Sequence, residues 1–163
     1  MNPTLFEIER DGPGRLATMA RPRGGDWLAD EMAGLCAQGV NVLVSALTAP
    51  ELVELRLTAE PELARQAGLT YISFPIPDRD APAADAPVTD LVADLEAHMA
   101  AGQFVVVHCR AGIGRSSLLA AAVMVREGLG PDDAWERISA ARGFPVPDTE
   151  AQAIWLAWFA GRR

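Results

Sequence analysis

Short apolar runs alternate along the chain with longer stretches of helical periodicity. Leu5-Phe6-Glu7-Ile8 and Gly14–Met19 predict a short strand pair. From Asp26, apolar residues recur at helical spacing through Leu28, Met32, Leu35 and Cys36, with Asp26 as the predicted N-cap and Gly39 as the stop. Asn41–Ser45 has the apolar character of a buried strand. Thr48-Ala49-Pro50-Glu51 has capping-box spacing and opens a helix. A shorter helix covers Glu60–Ala67. Leu69–Phe74 is a strand, closed by the proline-rich run Pro75-Ile76-Pro77-Asp78-Arg79-Asp80-Ala81-Pro82. An amphipathic helix spans residues 88–101 and ends near Gly102. Phe104–Val107, continuous, apolar and rich in β-branched residues, predicts a central strand. Helices follow from Gly114 to Arg126, over residues 131–141 with Pro131 in the first turn, and over 149–160. There is no internal repeat and no low-complexity linker. The alternation predicts an α/β fold in a single domain over residues 1–163. A central, mostly parallel twisted sheet of about four to five strands would carry helices on both faces, with an anion-binding loop between the last central strand and the following helix.

Composition narrows the function classes. The 163 residues are half hydrophobic, enough for one sizeable core. No apolar run approaches bilayer length. The start, Asn2-Pro3-Thr4-Leu5-Phe6-Glu7, lacks the basic and apolar regions of a signal peptide, so a cytoplasmic protein is expected. Net charge is −8, which argues against general nucleic-acid or membrane-surface binding, since those partners are anionic too. All 14 basic side chains are arginine, as GC-rich bacterial codon usage produces, so each arginine needs its own positional argument. The two cysteines, Cys36 and Cys109, are too few for a disulfide framework, and a reducing compartment suits them. Cys36 reads as a small buried hydrophobe on a helix face.

The candidate chemistry sits in His108-Cys109-Arg110-Ala111-Gly112-Ile113-Gly114-Arg115-Ser116-Ser117, between the central strand and a helix. Ligands of open α/β sheets bind at the carboxyl ends of strands. A helix N-terminus there offers unpaired N–H groups and the positive end of a dipole. Gly112 and Gly114 let the loop curl so that successive amides face one oxyanion. A thiol in such a cup is favoured as its thiolate, the nucleophilic form. Cys109 would attack the phosphorus of a bound ester, and the planar fork of Arg115 would hold two phosphate oxygens. Arg110, Ala111, Gly112, Ile113 and Gly114 would line the bound phosphate. A lone buried cysteine before a core helix is the bland alternative; the glycines, the arginine and the flanking elements together outweigh it.

This stretch resembles the signature loop of the protein tyrosine phosphatase superfamily, His-Cys-x-x-Gly-x-x-Arg-Ser/Thr. Ala111-Gly112-Ile113-Gly114-Arg115-Ser116 is similar to tyrosine-specific members. The chain length is similar to the compact dual-specificity branch, and the element order to small bacterial relatives of the cyclin-dependent-kinase-associated phosphatase. The resemblance implies a phosphocysteine mechanism on a phosphorylated protein or peptide; no cluster of His, Cys and carboxylates suggests a metal site, and no cofactor is expected. It also implies a general acid after a proline in a loop upstream. Pro77-Asp78 fits, with Asp80 as the fallback and Asp85 behind it. Phe74 stands near the position where larger relatives open this loop with tryptophan.

Ser116 would donate to the thiolate as it leaves, or cap the helix. His108 is expected to point inward and support the loop; His98 is expected to have no role. Val146–Gln152 resembles the water-positioning loop of tyrosine-specific relatives only at Thr149 and Gln152, so helix capping by Asp148 or Thr149 is an equal reading. Arg142 would reach the phosphate rim or pair with an acid. Arg21 and Arg23 would share the active-site edge if their strand runs parallel to the central one. The competing functions are a phosphatase for phosphoinositides or RNA 5′ ends, a sulfurtransferase, and an inactive phosphate-binding module.

Overall fold

Phe104–His108 is buried along its whole length, and the rest of the molecule is built around it. The computed structural model describes residues 2–162. In chain order the elements are β1 (Phe6–Glu7), β2 (Arg15–Met19), α1 (Leu28–Ala37), β3 (Val42–Ser45), α2 (Ala49–Glu54), α3 (Glu60–Gln66), β4 (Thr70–Ser73), α4 (Val88–Ala100), β5 (Phe104–His108), α5 (Arg115–Arg126), α6 (Pro131–Arg142) and α7 (Glu150–Ala160). The five strands form one sheet in the order β1-β2-β5-β3-β4. Only β1 is antiparallel, paired to β2. The others run parallel, with Thr18 opposite Val107 and Val44 opposite Val107 on its other side.

Successive side chains of a strand face opposite sides, and parallel strands are covered on both. Val105 and Val107 join Leu16, Val42 and Val44 in the core under α4, α5, α6 and α7. Phe104 and Val106 join Ala17, Met19 and Leu43 in a second core under α1 and α3. α5 is buried at every position except Arg126, the signature of a helix enclosed by other elements. Its run Ala120-Ala121-Ala122 keeps those neighbours close.

The elements follow the sequence reading with one correction. Asp26 is not an N-cap. It lies inside a 3-10 turn, Gly25–Trp27, and α1 begins at Leu28. Gly25 takes φ +61, its N–H donates to Arg56 O at 2.9 Å, and the chain enters α1 through this turn. The stop at Gly39 has φ +89, in the left-handed region that glycine adopts without penalty.

The sheet order fixes where chemistry can occur. The carboxyl ends of β2, β5, β3 and β4 all open on one edge. The loops after β2, β5 and β4 carry Arg21, Cys109 and Asp78, and α2, which follows β3, carries Glu51 in its first turn.

Candidate active site

The chain leaves β5 at His108 and re-enters helix at Arg115, so residues 109–114 form a loop over the N-terminus of α5. Gly112 takes φ +72, and a Cβ there would stand 2.7 Å from the backbone of Met19 and Ala20. Both constraints demand glycine. A Cβ on Gly114 would lie 2.8 Å from Gln152 Nε2, because α7 closes over the loop. Arg21 N–H donates to Arg110 O at 3.1 Å, tying the exit of β2 to the same loop.

A cavity of about 270 Å3 opens here, lined by Cys109, Arg110, Ala111, Ile113, Gly114 and Arg115 from the loop, Asp78 and Arg79 from the loop after β4, and Asp148 and Gln152 from the start of α7. Cys109 is buried, with Sγ 3.2 Å from the buried Ser116 Oγ. Arg115 is only 2 % exposed. Its Nη1 donates to Glu51 Oε1 at 2.7 Å and to Ile76 O at 2.8 Å, and its Nη2 to Glu51 Oε2 at 2.9 Å and Asp78 Oδ1 at 3.0 Å. The Glu51 carboxylate also receives the N–H and hydroxyl of Thr48, both at 3.0 Å.

Burial works against charge on both partners. On Glu51 the bonds from Arg115 and Thr48 outweigh it and hold the carboxyl at about 2. On Arg115, Glu51 together with the nearby Cys109 sulfur and Asp78 outweighs it and raises the guanidinium further above its ordinary value.

Behind the loop, His108 Nε2 lies 2.7 Å from Glu60 Oε2, and both side chains are wholly buried. Tyr71 O–H donates to Glu60 Oε1 at 3.2 Å. His108 Nδ1 lies 3.2 Å from Cys109 O. Both ring nitrogens of His108 therefore face an oxygen, Cys109 O on one side and the Glu60 carboxylate on the other. Burial, then the Glu60 charge, pushes the Tyr71 phenol up, so it stays a donor.

Residues 17–129 match a family model described as "Polymorphic toxin system, DSP-PTPase phosphatase". The chain belongs to this family. It is a compact member of the dual-specificity branch of the protein tyrosine phosphatase superfamily. Among solved structures it is similar to the kinase-associated phosphatase, in a form whose catalytic-site cysteine is replaced by serine, with TM-score 0.86 and 18 % identity over 99 % of this chain and 96 % of that one. Tk-PTP in its active form gives TM-score 0.77 and 22 % identity over 97 % and 98 %. PTPMT1 in complex with PI(5)P gives 0.74 and 21 % over 90 % of each chain. At these identities the likeness establishes the fold. No curated protein matches the sequence.

In this phosphatase fold, the carboxylates expected upstream separate by position. Asp78 faces the cavity and Arg115; Asp80 Oδ1 instead accepts the Ala81 N–H at 2.8 Å, and Asp85 is exposed. Arg110 lines the cavity, but its guanidinium is drawn outward to Glu54 at 2.7 Å. Arg79 pairs with Asp148 at 3.1 Å. Gln152 is buried at the start of α7: Oε1 accepts the N–H groups of Asp148 and Thr149, and Nε2 donates to Asp80 O at 3.1 Å. Thr149 therefore caps α7, and Gln152 ties that helix to the Asp78 loop. Arg23 is held by Glu31 and stacks on Trp27, away from the cavity. Arg21 stays exposed at the edge. Cys36 donates to Ala67 O and packs against the core on the opposite sheet face from Cys109. His98 bonds Gln103 on the far end of α4.

Glu51, Glu60 and Tyr71 were not singled out for chemistry in the sequence. Glu51 carried a local signal as a capping-box glutamate, but nothing marked its second oxygen for Arg115. Glu60 and Tyr71 carried none. Among the described residues, no group of three or more His, Cys, Asp or Glu is arranged to hold a metal ion.

Proposed function

We propose that residues 1–163 form one phosphatase domain that hydrolyses phosphomonoesters through a phosphocysteine on Cys109, acting on phosphorylated proteins or peptides. Cys109 Sγ attacks phosphorus, and the bond to the ester oxygen breaks. Asp78 supplies the proton that the leaving oxygen takes. Arg115 and the amides of residues 110–114 carry the charge of the transferring group. Water then attacks phosphorus, its proton passing to the Asp78 carboxylate that the first step left, and the sulfur–phosphorus bond breaks to release phosphate, with Ser116 donating to the departing thiolate and His108 supporting the loop from behind. The single observation that carries this reading is that Cys109 and Arg115 line one cavity at the head of α5.

The rim supports a substrate with a single phosphate. Arg79 and Arg110 are already neutralised by Asp148 and Glu54, and Arg115 by Glu51. Phosphoinositides and RNA 5′-triphosphates, the alternative substrates, present several anionic groups and call for free cations at the rim. The working thiol and the two unpaired cysteines suit a reducing cytoplasm.

Cys109→Ser is expected to abolish turnover of an aryl phosphate with the circular dichroism spectrum unchanged. Acid-quenched wild-type enzyme should carry one added phosphate on Cys109 by mass spectrometry. Retained turnover in the variant would remove the mechanism.

A further inference from the structure

Arg142, the last residue of α6, reaches the phosphatase loop from outside the cavity. Its Nε donates to Gly112 O at 3.1 Å and its Nη2 to Ala111 O at 3.3 Å. Its guanidinium lies 4.2 Å over the ring of Phe6 in β1. Arg142 does not line the cavity, whereas Ala111, Ile113 and Gly114 do.

A trans peptide unit points its C=O and N–H in opposite directions. The two carbonyls that Arg142 holds share peptide units with the N–H groups of Gly112 and Ile113. Gly112 itself does not line the cavity, but drawing those carbonyls outward would turn the two N–H groups the opposite way, toward the space that Ala111 and Ile113 line. It also keeps two negative carbonyl ends away from an incoming anion. Gly112 is where such control is needed, because a residue without a Cβ has little intrinsic preference between peptide orientations.

We infer that Arg142, backed by the face of Phe6, is a positioning residue that holds the loop amides of Gly112 and Ile113 in their anion-binding orientation. This rests on the phosphatase reading above. It couples the C-terminus of α6 and the edge strand β1 to the phosphate cup, with no contact to substrate.

The test uses the full chain and orthovanadate as the oxyanion probe. Arg142→Ala should raise both the inhibition constant for orthovanadate and the KM for an aryl phosphate by at least about ten-fold, the size expected for losing hydrogen bonds from a charged donor. Methylguanidinium added at millimolar concentration should restore part of the loss, which a general weakening of the fold would not allow. Arg142→Lys should recover only part, since an ammonium lacks the fork that spans two carbonyls. Phe6→Leu should shift both constants the same way by about two- to three-fold, as expected for losing a partly exposed cation–π contact. An Arg142→Ala enzyme that is folded and keeps wild-type constants overturns the inference. If that variant does not fold, unchanged constants in Arg142→Lys and Phe6→Leu overturn it. A wild-type protein that neither turns over aryl phosphate nor binds vanadate would sink the phosphatase reading and this inference with it, whereas an active wild type with an indifferent Arg142 sinks the inference alone.

Discussion

Arg115 has five N–H donors, and four are committed to Glu51, Ile76 O and Asp78. The Nε–H is left for a ligand. On the proposed mechanism, a phosphate gripped through Nε and Nη2 would take Asp78 off Nη2 and so free the proposed acid beside the leaving group. On that assignment Asp78→Ala should lower kcat by about 10²–10⁴, read with an aryl phosphate whose leaving group is poor. A near-normal kcat would shift the acid to Asp80. Glu51 makes a second prediction, in pH. Its carboxyl sits at about 2 in the fold, below the ordinary 4.5. A depressed carboxylate contributes stability fully above its unfolded value, and that share is lost as pH falls from 4.5 toward 2. Urea midpoints measured between pH 6 and pH 3 should fall with acid in the wild type and fall less steeply in Glu51→Gln.

At the scale of elements, the two short helices α2 and α3 supply the buried carboxylates that hold the two ends of the loop. The N-terminal capping box of α2 fixes Glu51 where one oxygen serves Thr48 and both serve Arg115. The first residue of α3 places Glu60 under His108. Glu60→Ala would leave the buried His108 ring and the Tyr71 hydroxyl without the oxygens they face, and an unsatisfied buried polar group costs about 1–3 kcal/mol, a loss that urea unfolding should read. Glu60→Gln keeps a hydrogen-bonding oxygen and should cost less. Equal costs in the two variants would mean that an accepting oxygen is not what Glu60 contributes. The periodicity of α2 and α3 was legible in the chain, because helical spacing and caps are local. Their place at the site was not, since the apolar pattern says which face is buried and not which neighbour it meets.

The whole molecule brings together charges that are distant in sequence. The parallel order β2-β5-β3-β4 sets the loops after four strands along one edge. The cavity they form holds arginines already matched by carboxylates. From this balance, kcat/KM should be higher for singly phosphorylated peptides than for a phosphoinositide or 5′-triphosphate RNA, compared side by side at one ionic strength. A preference for the polyanions would overturn the protein-substrate proposal and leave the fold and chemistry untouched.

The sequence by itself determined the order and type of the elements, the parallel sheet, and the strand–loop–helix that carries Cys109 and Arg115. Those features are written in contiguous residues, where periodicity, caps and glycines act over a few positions. Only the tertiary structure decided which groups answer them. Glu51 meets Arg115 across 64 positions, Glu60 meets His108 across 48, and Arg142 meets Gly112 across 30. It also turned Arg110 from a free loop cation into the partner of Glu54. The physical reason is that an ion pair or a bond to a carbonyl depends on spatial approach, and strand order sets that approach while leaving no trace in local patterning.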